Sequence, residues 1–361
     1  MAVHSVTAAE AIARLAEFDT IIDARSSSEH AEDRLPGAVN WPVLDDEQRA
    51  RVGTVYKQVS AFEARKLGAA LVSRNIAGHL EREVHHRPKH WKPLVYCWRG
   101  GKRSGSLALV LDQIGFRTHV VEGGYKAFRG EVLKALDELP LRLQFRVVCG
   151  RTGSGKTRLL QALRQAGAQV LDLEGLACHR GSVLGVLPGQ SQPSQKHFET
   201  RLWDELRRFD PARPVYVESE SRKVGNLRVP QVLMERMRRD SPCIRVELPD
   251  EARVKLLLED YHFFVHDVDL FARQLDGLVE LRGRATVERW KEEARAGRLA
   301  AVCEELMLTH YDPVYLKSMQ RNFAGFESAR IVQPNSGDPA DLARVATELL
   351  AAEASAGFAH G

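Results

Sequence analysis

Long apolar runs are missing from this sequence of 361 residues. No stretch approaches the roughly 18 consecutive apolar residues that a membrane-spanning helix requires. The opening segment MAVHSVTAAEAIARLAEF has no extended apolar core of the kind a secretory leader carries. A cytoplasmic protein with no membrane attachment is therefore expected. Cysteine is also scarce: five residues, at positions 97, 149, 178, 243 and 303, form no C-x-x-C pair and are odd in number. This disfavours both a disulfide framework and a cysteine-rich zinc site. Excess charge of either sign is absent, since 52 Lys and Arg face 48 Asp and Glu for a net charge of +4. That balance excludes a polybasic tail and an acidic disordered chain. No repeat of fixed period points to a solenoid.

What is present is the composition of a globular protein, 44% hydrophobic and 28% charged, with length enough for two domains of about 150 residues each. From Ala8 to about Val132, apolar runs (DTIIDAR, KPLVYCW, HVVEGG) alternate with helical patterns such as SLALVLDQIG. A second alternating region has LQFRVVCG, QVLDLEG, PVYVESE and CIRVELP as strands and TRLLQALRQAG as a helix. Strands alternating with helices predict two α/β units, each built on a mostly parallel sheet. The expected division is 1–135 and 136–361, with a linker helix near 130–142 and a helical region at about 250–310. The small residues of AAEASAGFAHG are expected to fray.

Two loops carry chemistry. In LVYCWRGGKRSGSLALVL, a cysteine ends an apolar strand, two glycines form the turn and a helix follows. Backbone N–H groups gathered at a helix N-terminus stabilise an anion, and equally a thiolate. Cys97 is therefore expected to have a depressed pKa and to act as a nucleophile. The surrounding anion loop comprises Trp98, Arg99, Gly100, Gly101, Lys102, Arg103 and Ser104. The second loop, Gly150, Arg151, Thr152, Gly153, Ser154, Gly155, Lys156 and Thr157, satisfies G-x-x-x-x-G-K-[ST] between a strand and a helix. Its backbone suits a di- or triphosphate, Lys156 the outer oxygens and Thr157 a Mg²⁺ ion. Asp172, Glu174, Glu218 and Glu220, near strand ends, are candidate metal carboxylates or simply solvated strand-end and capping groups.

The segment 79–103 holds seven Lys or Arg against two Glu, a local balance of +5. Arg87, Lys89, Trp91 and Lys92 are candidate RNA contacts, with Trp91 and Trp98 available to stack on an unpaired base unless Trp91 packs inward. His79, His85, His86 and His90 in the same run lack the Cys or H-x3-H pattern of a zinc site, and no metal is firmly assigned.

The segments IIDARSSSEHAEDRLPGAVNWP and EGGYKAFRG, with the Cys97 loop, resemble the rhodanese family across about the first 130 residues. That likeness implies that Cys97 carries a chalcogen. Cys97 to Arg103 spans seven residues, one more than the usual sulfurtransferase loop and equal to that of rhodanese-fold tyrosine phosphatases. A larger tetrahedral anion, a phosphate ester or selenophosphate, is thus a candidate beside thiosulfate. The rhodanese-like unit followed by a P-loop unit resembles the tRNA 2-selenouridine synthases. The resemblance rests on VGTVYKQVSAFEARKLGAALV (52–72), YCWRGGKRS (96–104), LDLEGLACHRGSVLG (171–185), VESESRKVG (217–225) and THYDPVY (309–315).

The resemblance implies a transferase that converts 2-thiouridine at wobble position 34 of tRNA to 2-selenouridine through an S-geranyl intermediate, using geranyl diphosphate and selenophosphate. In this scheme the P-loop, with His179 and Arg180, grips the diphosphate, while tRNA is met through its anticodon loop. No tightly bound cofactor is expected, and Mg²⁺ is a candidate. Leu256, Leu257, Phe263 and Phe264 are either core residues or the lining of a prenyl pocket. Two other classes stay open: a P-loop ATPase or kinase with a rhodanese-type phosphatase or sulfur-carrier module, and an RNA-binding carrier that performs no chemistry on tRNA.

Overall fold

Apolar runs buried on both faces decide the architecture. A computed structural model describes residues 3–180 and 189–357. The chain folds as two compact units, one of Met1–Ala135 with Pro193–Asp204 and a second of Leu136–Gln192 with Glu205–Gly361. The second unit is therefore not the continuous stretch 136–361 that the sequence suggests, because 193–204 joins the first.

The first unit holds a five-stranded parallel sheet in the order β1-β5-β4-β2-β3, from His4–Val6, Thr20–Asp23, Val39–Asn40, Pro93–Tyr96 and His119–Val121 in chain order. All four residues of the central strand β4 are buried, as expected of a parallel strand covered on both sides. The core beside it joins Ile22, Trp41, Trp91, Val95, Leu107 and Leu111. Within this unit the helix Gln195–Leu206 sets Trp203 edge-on to Phe128, with ring centroids 5.5 Å apart. Its Thr200 donates to Asp33 at 2.9 Å, and Glu199 pairs with Arg129.

The second unit is built on another five-stranded parallel sheet, β12-β11-β6-β8-β7. Its strands are β6 (Phe145–Cys149), β7 (Gln169–Leu171), β8 (Val215–Glu218), β11 (Pro242–Val246) and β12 (Gly325–Val332), with a short antiparallel pair, β9 (Lys223–Val224) and β10 (Leu227–Arg228), outside the sheet. Helices run from Asp250 to Asn322, beyond the expected limit near 310, and pack around Phe264, Phe271, Leu278, Trp290 and Val302. The final helix, Pro339–Gly357, continues through small residues expected to fray, because its Leu342, Val345, Ala346 and Leu349 are buried in the sheet's core cluster. Among the described residues no helix is long and apolar enough to cross a membrane.

Candidate functional site

Cys97 leaves β4 at its C-terminal end, directly before the helix Lys102–Ile114, whose N-cap position is Gly101 with no side-chain cap. The first N–H groups of that helix are thus left to face the loop. Gly100 has φ of +66°, and a Cβ there would meet the Val121 carbonyl at 2.6 Å. Only glycine lets the loop lie this close to the turn of EGGYK. The Ser104 hydroxyl donates to Cys97 Sγ at 3.1 Å. Burial alone would push the Cys97 thiol up, but hydrogen bonds from Ser104, side chain and backbone, and from the backbone N–H groups of Arg99 and Gly101 hold it below its ordinary value. A thiol so supported is suited to nucleophilic attack on a bound anion.

The cations of this loop do not act alike. Arg99 and Lys102 are exposed, whereas Arg103 is paired with Glu29 at 2.7 Å. Trp98 is half-buried beside Tyr125, with ring centroids 5.4 Å apart. Beneath the loop lies a network that sequence reasoning missed. Asp23 accepts from Arg25 at 2.7 Å and from the Tyr96 hydroxyl at 2.8 Å, and the Arg25 guanidinium stacks 4.1 Å from the Tyr125 ring. Asp33 accepts from the Tyr125 hydroxyl at 2.8 Å. The D-A-R spacing was visible in the sequence, but its partners lie many residues away.

The expected RNA stretch separates into two kinds of residue. Arg87 and Lys89 are exposed. Trp91 is not available to stack on a base: it is 2% exposed, packs edge-on to Phe116 and donates its indole N–H to Thr20 at 3.0 Å. The reason is apolar burial, since an indole this large fills the core next to Trp41. Lys92 is half-buried and paired with Glu17 at 3.1 Å.

In the second unit the P-loop joins β6 to the helix Lys156–Gln165. Gly153, at φ +74°, leaves no room for a Cβ, which would lie 2.9 Å from the Leu257 side chain and 3.0 Å from the Arg253 carbonyl. Lys156 is buried; its ammonium donates to the carbonyls of Gly150 and Arg151 at 3.0 and 3.2 Å and lies 3.6 Å from Glu218. Burial opposes its charge, yet Tyr315 and the acids Glu218, Glu174 and Glu220 more than offset that and raise its pKa. Thr157 donates to Glu218 at 3.0 Å.

Glu174, Glu218 and Glu220 each bring a carboxylate oxygen within 4.8 Å of the others. Burial, followed by repulsion from neighbouring acids, pushes Glu174 up to about 10 and Glu220 to about 8, while burial and the Asp172 charge raise Glu218 against the opposing pull of Lys156 and Thr157. Such a triad is costly unless protonated or joined by a cation. Asp172 is outside this cluster: it is the N-cap of the short helix Leu173–Ala177 and accepts from the Gly175 N–H at 2.8 Å. Arg151 is likewise diverted, to Asp250 at 3.2 Å and Asp312 at 3.3 Å.

The P-loop opens into a cavity of about 700 Å³. Thr152 to Arg158 and Glu218 to Ser221 form its polar part, while Leu257, Phe264, Phe271, Leu306, Val314 and Met319 contribute apolar walls. Arg180 lines it and lies 4.9 Å from the Tyr261 ring. His179 is buried, does not line the cavity, and has no partner for Nδ1 among the described residues. Gly181 to Gly185, the end of the LDLEGLACHRGSVLG segment, lie outside the described residues. Of the four apolar residues singled out in the sequence, Leu257 and Phe264 line the cavity, Leu256 is buried, and Phe263 packs on the helical core.

Residues 143–274 match the tRNA 2-selenouridine synthase AAA domain and residues 7–131 the rhodanese-like domain. The tRNA 2-selenouridine synthase of Nitrosomonas europaea is 38% identical over 245 residues, which cover 67% of this chain and 63% of that protein. The alignment thus spans a little under two thirds of that relative. Proteins of the same name from Aeromonas salmonicida and Cupriavidus pinatubonensis are 34% and 33% identical, over 82% and 84% of this chain and 86% and 90% of theirs.

Proposed function

The chain belongs to the tRNA 2-selenouridine synthase family, and from that premise we propose that it replaces the 2-thio sulfur of wobble uridine 34 by selenium through S-geranylation. Geranyl diphosphate occupies the P-loop cavity and selenophosphate the Cys97 loop. The observation that carries this reading is the continuity of the P-loop with an apolar cavity of about 700 Å³. A diphosphate head meets the backbone cradle and Lys156, and a prenyl tail meets Leu257, Phe264 and Val314.

The chemistry explains why two anion sites serve one reaction. A 2-thiouridine sulfur is a good nucleophile and a poor leaving group. When it attacks the allylic carbon, that C–O bond breaks with its electron pair leaving on diphosphate, a C–S bond forms, and the N3 proton passes to solvent. The alkylated sulfur then departs as geranylthiol when selenium bonds to C2. Overall, selenophosphate and water yield phosphate, with no external oxidant or reductant. Cys97, its thiolate held by Ser104 and by backbone N–H groups, attacks the phosphorus of selenophosphate: an S–P bond forms as the P–Se bond breaks, hydrogen selenide leaves to attack C2, and water cleaves the S–P bond to give phosphate and the free thiol.

Glu174, Glu218 and Glu220, with Thr157 bonded to Glu218, fit a Mg²⁺ ion: the hydroxyl and carboxylates are hard oxygen donors, and a cation would offset their crowding. Bound there, Mg²⁺ supplies charge neutralisation for the diphosphate. The anticodon loop meets the exposed Arg99 and Lys102 of the Cys97 loop, with Trp98 beside the thiol as a stacking surface, and the exposed Arg87 and Lys89, which precede β4, contact phosphates further along the tRNA. The protein acts in the cytoplasm, where its tRNA substrate is.

The test incubates the protein with 2-thiouridine tRNA and geranyl diphosphate, with and without selenophosphate, and analyses nucleosides by mass. The S-geranyl nucleoside is expected without selenophosphate and 2-selenouridine with it. Nucleotide turnover independent of tRNA, with the thiolated nucleoside unchanged, favours a P-loop ATPase or kinase instead.

A further inference from the structure

Tyr315 lies where the polar and apolar parts of the P-loop cavity meet. It belongs to the helix Asp312–Asn322, whose Val314, Ser318 and Met319 also line the cavity. The centroid of its ring is 4.9 Å from Lys156 Nζ, the cation of the phosphate cradle. Its hydroxyl donates to the Ser219 carbonyl at 3.1 Å, just past the end of β8. The ring is therefore held by its edge and shows a face to positive charge. Burial raises the phenol's pKa and keeps it neutral. Other aromatic walls are placed differently: Tyr261 packs on the helical core with Arg180 over its ring, and Phe264 and Phe271 belong to that same core. Tyr315 instead touches the lysine that would hold the diphosphate.

We propose that Tyr315 is a catalytic residue of the alkyl transfer, its ring face stabilising positive charge on the allylic carbon as the bond to diphosphate breaks. The inference rests on reading this cavity as an allylic diphosphate site. With the head on Lys156 and the tail among Val314 and Met319, the bond between head and tail lies against this ring. In the step, the allylic C–O pair leaves with diphosphate, the sulfur lone pair forms the C–S bond, and the N3 proton goes to solvent. Nothing is oxidised or reduced. A π face attracts such a cation most strongly where water is excluded, and it acts on the transition state in preference to the neutral allylic ground state.

The full-length protein and its Tyr315→Phe and Tyr315→Leu variants are compared for geranyl diphosphate binding by calorimetry and for S-geranylation of 2-thiouridine tRNA. Tyr315→Phe, which keeps the ring and loses its anchor to the Ser219 carbonyl, lowers kcat by less than Tyr315→Leu does. Tyr315→Leu lowers kcat by about tenfold or more while Kd changes by less than about threefold. An unchanged kcat in Tyr315→Leu overturns the proposal, as does an equal fall in both variants, which would assign the effect to the hydroxyl. A measurement on the unmodified protein is independent of whether variants fold: a donor with fluorine beside the allylic carbon should react at least about tenfold more slowly than geranyl diphosphate. Slowing of less than about twofold shows that no cation develops and overturns the proposal. If the unmodified protein binds no geranyl diphosphate at all, the reading of the cavity fails first, an outcome distinct from those above.

Discussion

Arg253 and Asp312 form a buried ion pair, with hydrogen bonds of 2.5 and 2.9 Å, and the same guanidinium donates to the Thr152 carbonyl at 2.7 and 2.9 Å. One side chain thus satisfies an acid and a P-loop carbonyl together. Asp312→Ala removes two charge-assisted hydrogen bonds and leaves the buried guanidinium with the Asp250 carboxylate at 2.8 Å, and is expected to cost about 1.5–3 kcal/mol of stability. Urea unfolding measures this, and Asp312→Asn, which keeps an acceptor, should lose less.

The Ser104 hydroxyl lowers the Cys97 pKa, so Ser104→Ala should raise it. The pH at which half-maximal alkylation by iodoacetamide is reached moves upward, and the rate at neutral pH falls. The linkage has the sign of a depressed acid: its stabilising contribution is fully present above the unfolded thiol's pKa and is lost as pH falls through the folded one. The stability difference between the two proteins is therefore largest at alkaline pH. Cys97→Ser should accumulate the S-geranyl nucleoside and form no 2-selenouridine.

Trp91 and its basic neighbours should part company under mutation. Trp91→Ala removes a fully packed indole and is expected to cost about 3–5 kcal/mol, read as a lowered denaturation midpoint. Arg87→Ala and Lys89→Ala should leave stability within about 0.5 kcal/mol. For every tRNA phosphate that such a variant no longer neutralises, the salt dependence of binding should fall by roughly one in log–log slope. Filter binding over a salt series measures it.

Gly153 is pressed against Leu257 and the Arg253 carbonyl, so Gly153→Ala must displace the loop or the cavity wall. Binding of geranyl diphosphate is expected to weaken at least about tenfold, as it should in Lys156→Ala, and calorimetry tests both. Binding undiminished in Lys156→Ala would remove the P-loop from the donor site.

Much of the fold is legible because parallel strands buried on both faces read as apolar runs. KPLVYCW, LQFRVVCG and PVYVESE become β4, β6 and β8. GFESARIV does not announce itself, since β12 sits at the sheet edge and exposes half of its residues. Both phosphate-type loops are local, with every defining residue within a few positions, and they stand where the strand–turn–helix pattern puts them. What spacing cannot show is partnership at a distance. Asp172 and Glu174 look alike in VLDLEG, yet one caps a helix and the other joins Glu218 and Glu220. Leu257 and Leu256 are adjacent on one helix, and only the folded chain makes one a cavity wall and the other core.

The helix Gln195–Leu206 has a consequence for how the chain is made and divided. Its Thr200 completes the hydrogen bonding of Asp33, and its Trp203 meets Phe128. The first unit thus borrows part of its core from a point well past the P-loop, and it is incomplete when residue 135 leaves the ribosome. A single cut of the chain after residue 135 would strip a buried tryptophan from one piece and strand it on the other. The two sheets belong to different units that are interleaved in sequence, which links maturation of the thiol-bearing unit to synthesis of the phosphate-binding one.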